Sequence, residues 1–254
     1  MAPARRDAVS SRWSPLSLIV ALLVAIAAQA LAADPETVAR LDMVRTIEVI
    51  AREAGSGGTV PTTLDATVLE VMRRVPRHAF VPADMRGLAY DDRPLPIGYG
   101  QTISQPYIVA LMTDLLRLPP HGRALEVGTG SGYQAAILAA LGHQVYTIEI
   151  VPALAEQAAK RLSDLGYTSV HVRRADGYYG WREAAPFDGI VVTAAATQIP
   201  PPLLDQLKPG GRMVIPVGDA FLVQELMLIE KLADGSVRTE ALLPVYFVPL
   251  AGGP

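Results

Sequence analysis

The chain has 254 residues and a formal net charge of −3; half of its residues are hydrophobic and 19% are charged. This length and balance fit one large globular domain or one domain with an elaboration, and nothing in them indicates disorder. The mildly acidic charge excludes an electrostatic reason to expect a nucleic-acid partner. The chain contains no cysteine, which excludes disulfides, thiol catalysis and thiolate metal sites.

The N-terminal residues have the order of a secretory signal. A basic start is followed by an uninterrupted apolar run, Leu16 to Ala28, and then by the small residues Ala30-Leu31-Ala32. This order predicts a signal peptide over 1–32, so we expect an exported protein, with the periplasm as its compartment. The alternative is an uncleaved anchor, since Pro15 to Ala33 is close to the length that spans a bilayer. We expect contact with a membrane only in that case.

Helical periodicity dominates the segment that follows. Apolar residues recur at helical spacing from Pro35 to Ala54, and a second helix is predicted from Thr63 to Arg74. Next comes a segment rich in proline and glycine, Arg93 to Pro106, which presents hydroxyl groups on a constrained backbone. We therefore expect an N-terminal helical elaboration over 33–100 and a main domain over 101–254.

From Gln105 onwards, predicted helices and strands alternate. In chain order they are a helix at Gln105–Leu116, a strand at Ala124–Val127, a helix at Tyr133–Leu141, a strand at Gln144–Ile150, a helix at Pro152–Leu165, strands at Val170–Arg173 and Phe187–Thr193, a helix at Pro201–Leu207 and a strand at Arg212–Val217. This alternation predicts an α/β fold with a doubly wound parallel sheet. Two more apolar runs, Val223–Lys231 and Val237–Val248, are joined through Asp234-Gly235, which predicts an antiparallel hairpin at the sheet edge.

A glycine-rich loop follows the first predicted strand of this sheet. The segment Glu126-Val-Gly-Thr-Gly-Ser-Gly132 lies where that strand meets its helix, so the backbone can curl around a ligand. The residues that we expect to bind a cofactor here are Glu126, Gly128, Thr129, Gly130, Ser131 and Gly132. The dinucleotide pattern needs glycine at the sixth position counted from Gly128, where this chain has Tyr133, so a nicotinamide cofactor is disfavoured.

Two acidic residues extend the predicted cofactor site. Glu149 ends the second strand, 21 residues after Gly128, where a carboxylate can accept hydrogen bonds from both ribose hydroxyls. Asp176-Gly177, after the third strand, adds a polar contact near the expected position of an adenine. A cofactor with ribose and adenine but no pyrophosphate suits this arrangement, and S-adenosylmethionine is such a cofactor.

Several further segments occur in a characteristic order between about residues 64 and 250. They are Val75-Pro-Arg-His-Ala-Phe-Val-Pro82, Ala89-Tyr-Asp-Asp-Arg-Pro-Leu-Pro-Ile-Gly98, Gly100-Gln-Thr-Ile-Ser-Gln-Pro106, the glycine loop, Thr193-Ala-Ala195, Ile199-Pro-Pro201, Gly210-Gly-Arg-Met-Val-Ile-Pro-Val-Gly218 and Phe247-Val-Pro-Leu250. Together they resemble the protein-L-isoaspartate O-methyltransferase family, for which the Gln-Thr-Ile-Ser segment is specific. The resemblance implies a seven-stranded methyltransferase fold, S-adenosylmethionine as methyl donor, and isoaspartyl proteins and peptides as acceptors.

The same resemblance assigns roles to four residues. Ser104 holds the position of the active-site serine, while Thr102 and Ile103 belong to the segment that contacts the cofactor. Thr102 is also expected to contact the substrate, and Gln224 matches a late position that reaches cofactor or acceptor. A side-chain carboxylate is already ionised at neutral pH, so Ser104 would orient it by a hydrogen bond without removing a proton. Spacing alone leaves the alternative that Ser104 caps the following helix.

Other interpretations stay open. One is a methyltransferase of the same fold that acts on another carboxylate or on a small molecule, and another is a non-catalytic module that binds the cofactor. The four histidines are scattered without ligand spacing, so no metal site is predicted: His78, His121, His143 and His171. Asp91 and Asp92 are adjacent on a predicted loop and are expected to face solvent. We expect a monomer.

Overall fold

A computed structural model describes residues 34–219 and 222–253 of the chain. The predicted signal peptide or anchor, at 1–32, lies outside the described residues. The chain divides into two units after Val38, and residues 34–38 are the described part of the first unit. There, the Asp34 carboxylate accepts a hydrogen bond from the Thr37 amide at 3.2 Å. No helix in the described ranges is long and apolar enough to cross a membrane.

Helices and one small hairpin precede the main sheet. They are α1 (Pro35–Gly55), α2 (Ala66–Arg74), β1 (Leu95–Gly98) and β2 (Gln101–Ile103), with short 3₁₀ turns at Arg77–Phe80 and Ala83–Leu88. Helix α2 starts three residues later than predicted because Asp65 caps it, accepting a hydrogen bond from the Thr67 amide at 2.7 Å. Strands β1 and β2 pair antiparallel as a sheet of their own. The division of the chain at residue 100 stays a prediction.

The predicted alternation of helices and strands is confirmed in the rest of the chain. The elements are α3 (Pro106–Leu116), β3 (Arg123–Val127), α4 (Tyr133–Ala140), β4 (Gln144–Glu149), α5 (Pro152–Asp164), β5 (Val170–Arg174), β6 (Phe187–Val192), α6 (Pro201–Gln206), β7 (Leu207–Val217), β8 (Gln224–Lys231) and β9 (Val237–Val245). Further 3₁₀ turns lie at Gly177–Tyr179 and Arg182–Ala184. Strand β7 starts at Leu207, five residues before the predicted start at Arg212.

The main sheet has seven strands in the order β5-β4-β3-β6-β7-β8-β9. Strands β3 to β7 run parallel, whereas β8 and β9 run antiparallel to their neighbours. Both the doubly wound parallel sheet and the antiparallel hairpin at its end are therefore confirmed. Strands β4 and β5 extend the sheet on one side of β3, and β6 and β7 extend it on the other. This reversal opens a crevice at the carboxyl ends of β3 and β6, where ligands bind in such sheets.

Successive residues of the central strands pack on opposite faces of the sheet. On β6 and β7, Val191 and Val214 belong to one apolar cluster, whereas Ile190 and Met213 belong to a second one. The first cluster also contains residues of α2 to α5, and the second contains Leu203 of α6. Apolar groups therefore cover both faces, as expected for parallel strands.

The chain leaves the sheet at Val245, three residues before the predicted end of the last strand. It then runs beside Ala195, whose amide donates to the Val248 carbonyl and whose carbonyl accepts from the Leu250 amide, each at 2.8 Å. Ala195 and Pro249 form a parallel bridge between these two bonds. Because Ala195 follows β6, this bridge brings the C-terminal segment back to the carboxyl edge of the sheet.

Candidate active site

One pocket lies at the carboxyl edge of the parallel strands, and we call it the glycine-loop pocket. It is lined by residues 101–104, 126–131, 148–151, 193–194 and 248–251, together with Val109, Tyr133, Gln134 and Gly177. Ten of the residues predicted from the sequence meet here, namely Thr102, Ile103, Ser104, Glu126, Gly128, Thr129, Gly130, Ser131, Glu149 and Gly177. They come from the β1–β2 hairpin, the glycine loop, the end of β4 and the turn after β5.

The glycine loop adopts backbone conformations that favour glycine. Gly128 and Gly130 have φ of +96° and +52°. A Cβ atom on Gly128 would lie 2.5 Å from the Thr193 hydroxyl oxygen, which leaves no room for a side chain. That hydroxyl donates to the Gly128 carbonyl at 2.6 Å, and the Gly128 amide donates to the Ile148 carbonyl at 2.8 Å. The loop is therefore fixed by the ends of β4 and β6.

Glu149 holds the loop from the end of β4. Its Oε2 accepts a hydrogen bond from the Gly130 amide at 2.8 Å, and its Oε1 accepts one from the Val151 amide at 2.9 Å. The residue is buried, yet it borders the pocket. An ionised carboxylate offers about four lone-pair directions. Two acceptor positions therefore remain for hydroxyl groups of a ligand.

Glu126, at the start of the glycine-loop segment, is fully buried. Its Oε2 accepts a hydrogen bond from the Thr147 hydroxyl at 2.5 Å, and that hydroxyl lies 2.6 Å from the Thr129 hydroxyl. Burial raises the pKa of Glu126 to about 8, although the Thr147 hydrogen bond opposes the shift and the charge of Glu149 adds to it. Glu126 is therefore largely protonated at neutral pH. Its Oε1 is buried without a hydrogen-bond partner among the described residues, so a ligand can satisfy it.

Ser104 also lines the pocket and lies just after β2. Its hydroxyl makes no hydrogen bond within residues 34–219 and 222–253, so it is free to bind a ligand. Helix α3 starts at Pro106 with Gln105 at the cap position, and no side chain at that position makes a capping bond. The alternative that Ser104 caps this helix is therefore wrong.

Asp92 takes the capping role instead. Its Oδ1 accepts a hydrogen bond from the Tyr107 amide at 2.8 Å, and its Oδ2 accepts one from the Gln105 side chain at 2.6 Å. The expectation that Asp92 simply faces solvent is wrong, because the loop before β1 folds back onto the start of α3. Its neighbour Asp91 is exposed and lies 3.4 Å from the Arg93 guanidinium.

Three predicted site residues do not line the glycine-loop pocket. Gly132 occupies the cap position of α4 with a φ of +89°. The Asp176 carboxylate accepts a hydrogen bond from the Gly253 amide at 2.8 Å, and the buried Gln224 side chain accepts one from the Phe247 amide at 2.8 Å. Both contacts fix the C-terminal segment that forms one wall of the pocket. Direct contact of these residues with a ligand stays a prediction.

Some lining residues were missed in the sequence. Thr193 directly follows β6, which neighbours β3 across the reversal of strand order, so the rule for strand ends could have identified it. The segment 248–251 is different, because it reaches the pocket through its bridge to Ala195. No local pattern indicates that pairing.

Two of the four histidines contact aromatic side chains. His171 stacks on Tyr146 with ring centroids 4.9 Å apart, and a ring nitrogen of His78 lies 2.6 Å from the Tyr90 hydroxyl. Across the part of the chain that the structure describes, no group of three or more histidine, cysteine, aspartate or glutamate side chains is placed to hold a metal ion.

The loop, the carboxylate that ends β4 and the unsatisfied oxygen of Glu126 fit an adenosyl cofactor, while Tyr133 at the sixth position of the loop disfavours a dinucleotide. A doubly wound sheet with this site defines the class of S-adenosylmethionine-dependent methyltransferases. The family model described as "Protein-L-isoaspartate(D-aspartate) O-methyltransferase (PCMT)" matches residues 59–254. The chain belongs to this family, which confirms the resemblance seen in the sequence.

Individual relatives agree with this assignment. The chain is 62% identical over 246 residues to protein-L-isoaspartate O-methyltransferase 2 of Syntrophobacter fumaroxidans, covering 96% of this chain and 99% of that protein. It is 61% identical over 210 residues to a protein of the same name from a Polaromonas species, covering 83% and 99%. The aligned region therefore covers nearly the whole length of each relative.

Solved structures lead to the same family. One protein-L-isoaspartate O-methyltransferase superposes with a TM-score of 0.71 at 27% identity, covering 83% of this chain and 66% of that one. A putative protein-L-isoaspartate O-methyltransferase from Plasmodium falciparum, in complex with S-adenosyl-L-homocysteine, gives a TM-score of 0.64 at 26% identity and covers 80% and 97%.

Proposed function

We propose that this chain is a protein-L-isoaspartate (D-aspartate) O-methyltransferase. It transfers a methyl group from S-adenosylmethionine to the free carboxylate of isoaspartyl residues in damaged proteins and peptides, as the first step of their repair. One observation carries the proposal: Thr102 and Ser104 line the same pocket as the glycine loop and Glu149. The segment assigned to the acceptor and the loop assigned to the cofactor therefore border the same cavity.

Different residues of the pocket are assigned to different parts of the cofactor. Glu149 has the free acceptor positions for two ribose hydroxyls, and the amides of the glycine loop suit the amino-acid end of the cofactor. Gly177 lines the pocket beside the expected adenine position. Glu126, largely protonated because burial raises its pKa to about 8, adds little negative charge beneath Glu149. When bound, S-adenosylmethionine supplies an electrophilic methyl group next to a positive sulfur.

Ser104 orients the acceptor. An isoaspartyl carboxylate is ionised at neutral pH, so it is nucleophilic without a general base. The unengaged Ser104 hydroxyl can donate one hydrogen bond to this carboxylate and hold the reacting oxygen in place. Catalysis then depends on positioning and on removal of water from the carboxylate, to which the buried surroundings of the pocket contribute.

The direct test uses two peptides that differ only in one linkage. We expect the purified chain to methylate an isoaspartyl peptide and to leave its normal aspartyl twin unlabelled. Equal labelling of both peptides favours a methyltransferase of another carboxylate and contradicts the proposal. Cofactor binding in a calorimetric titration without labelling of either peptide indicates a non-catalytic binding module.

The Ser104→Ala variant tests the assigned serine. A hydrogen bond to a charged group contributes about 1.5–3 kcal/mol, so we expect turnover to fall by about 10- to 100-fold. The Kd for the cofactor should stay unchanged, because the hydroxyl is assigned to the acceptor. Ser56→Ala is the matched control, since Ser56 is exposed and does not line the pocket. Unchanged turnover in Ser104→Ala would remove the serine from the mechanism.

We also propose that the mature chain is exported to the periplasm. The support is the basic start, apolar run and small-residue site within residues 1–32. N-terminal sequencing of the protein purified from a periplasmic fraction should begin near Ala33. Recovery of the intact N-terminus with the membrane fraction would indicate an anchor instead. Light scattering of the purified mature chain tests the further proposal that it is a monomer.

A further inference from the structure

The tip of the β1–β2 hairpin carries a tyrosine in a backbone conformation that favours glycine. Gly98 pairs with Gln101, so Tyr99 and Gly100 are the two central residues of the turn. Their φ values of +54° and +72° are typical of a type I′ turn, in which asparagine, aspartate and glycine are preferred. A tyrosine there is an outlier, because its Cβ crowds the backbone. Tyr99 therefore lowers the stability of the turn.

Packing within the chain does not explain this residue. The Tyr99 side chain is 58% exposed. Among the described residues it belongs to neither apolar cluster and forms no aromatic pair. A strained residue that the fold does not require points to a role in binding.

The hairpin is also a wall of the glycine-loop pocket. Residues 101–104 line that pocket, and Ile97 on β1 packs against the glycine loop, since a Cβ on Gly130 would lie 3.3 Å from its Cδ1. Tyr99 thus lies at the exposed tip of the wall that carries Ser104. Ser104 is five positions after Tyr99, which corresponds to at most about 18 Å of extended chain.

We infer that Tyr99 is a specificity-determining residue that contacts an apolar or aromatic side chain of the acceptor polypeptide. This inference rests on the proposed function, in which the acceptor is a polypeptide and continues beyond the pocket on either side of the isoaspartyl residue. An extended chain advances about 3.3 Å per residue, so the contacted side chain lies within about five residues of the isoaspartyl residue. A tyrosine ring provides a large and rigid contact surface with few rotatable bonds.

The experiment uses isoaspartyl peptides with glycine and serine flanks. A single phenylalanine is moved through about five positions on either side of the isoaspartyl residue. With the unchanged protein, we expect phenylalanine to lower KM at one or more of these positions relative to the polar peptide. An aromatic contact of this kind corresponds to about a three- to tenfold change in KM. The absence of a responsive position overturns the inference.

Two substitutions of Tyr99 separate contact from structure. Tyr99→Asn removes the ring and relaxes the turn, so we expect the gain from phenylalanine to disappear while the urea midpoint of unfolding rises. The kcat value and the cofactor Kd should not change. Tyr99→Phe keeps the ring and should keep the gain. A residue with a merely structural role would instead lower the unfolding midpoint when replaced.

Leu232→Asn is the matched control. Leu232 is 41% exposed and follows β8, which runs antiparallel to β7 and so ends at the sheet edge opposite the pocket. This variant should retain the phenylalanine gain. The inference is overturned if Tyr99→Asn retains that gain too, or if its KM rises equally for every peptide. If the unchanged protein methylates no isoaspartyl peptide, the proposed function itself fails, and the inference fails with it.

Discussion

Replacing Glu126 by glutamine should change how the stability of the protein depends on pH. Burial raises the pKa of this carboxyl from 4.5 to about 8 in the folded protein. At pH values between these two limits, the folded chain keeps the proton, whereas the unfolded chain has lost it. The free energy of unfolding therefore falls as pH rises through this window. Glutamine keeps the size of the side chain but cannot ionise.

The magnitude follows from the number of protons. One retained proton changes the free energy of unfolding by about 1.4 kcal/mol per pH unit. Between about pH 5.5 and pH 7.5, the unchanged protein should therefore lose up to about 3 kcal/mol of unfolding free energy through Glu126, and Glu126→Gln should not. Over the whole pH range between the two pKa values, this loss of unfolding free energy is at most about 5 kcal/mol. These changes are large, because the free energy of unfolding of a typical domain is only about 5–15 kcal/mol.

Urea unfolding of both proteins, without cofactor and at both pH values, measures this effect. The contributions of all other titrating groups that the substitution leaves undisturbed cancel in the difference between the two proteins. We expect Glu126→Gln to gain stability relative to the unchanged chain as pH rises. A difference that is constant between the two pH values would show that Glu126 is ionised when folded, and the argument from burial would then be refuted.

Three further substitutions test the site. Asp92→Ala should lower the free energy of unfolding by about 1–2 kcal/mol in urea because it removes a helix cap, while exposed Asp91→Ala should not. Glu149→Gln should raise the cofactor Kd in calorimetry by about 10-fold or more, since two hydroxyl groups lose a charged acceptor. Gly128→Ala should destabilise the fold by more than about 1 kcal/mol, because its φ is +96° and the new Cβ meets a hydroxyl, whereas Gly87→Ala has open space around it.

The cofactor side of the site could be predicted because local signals determine it. The carboxyl ends of parallel strands meet at one edge, so identifying β3 and β4 places the glycine loop beside Glu149 without further information. The positive φ of Gly128 and Gly130 likewise follows from a loop that turns tightly from strand into helix. The positions of the glycine loop and Glu149 are therefore determined by residues that are close in sequence or lie on adjacent strands.

The contacts of Asp92 and the C-terminal wall of the pocket could not be predicted in the same way. The role of Asp92 depends on a loop that folds back onto α3, and the wall at 248–251 depends on hydrogen bonds to Ala195. Each contact joins backbone groups to partners that no hydrophobic period identifies. Adjacent aspartates on a loop have the same local sequence signal whether they face solvent or cap a distant helix.

A buried arginine supports the part of the chain that precedes the β1–β2 hairpin. Arg77 is fully buried, donates to the Ala89 carbonyl at 2.8 Å, and stacks its guanidinium over the ring of Tyr133, 5.0 Å from its centroid. Burial lowers the pKa of Arg77 to about 10, so it stays charged at neutral pH. Tyr133 lines the glycine-loop pocket, and the segment after Ala89 carries Asp92, which binds the start of α3. The arginine therefore connects a residue that lines the pocket to the segment that supports the start of α3. In the proposed reaction the acceptor carboxylate is already nucleophilic, so such rigid support would contribute to catalysis by positioning the reactants.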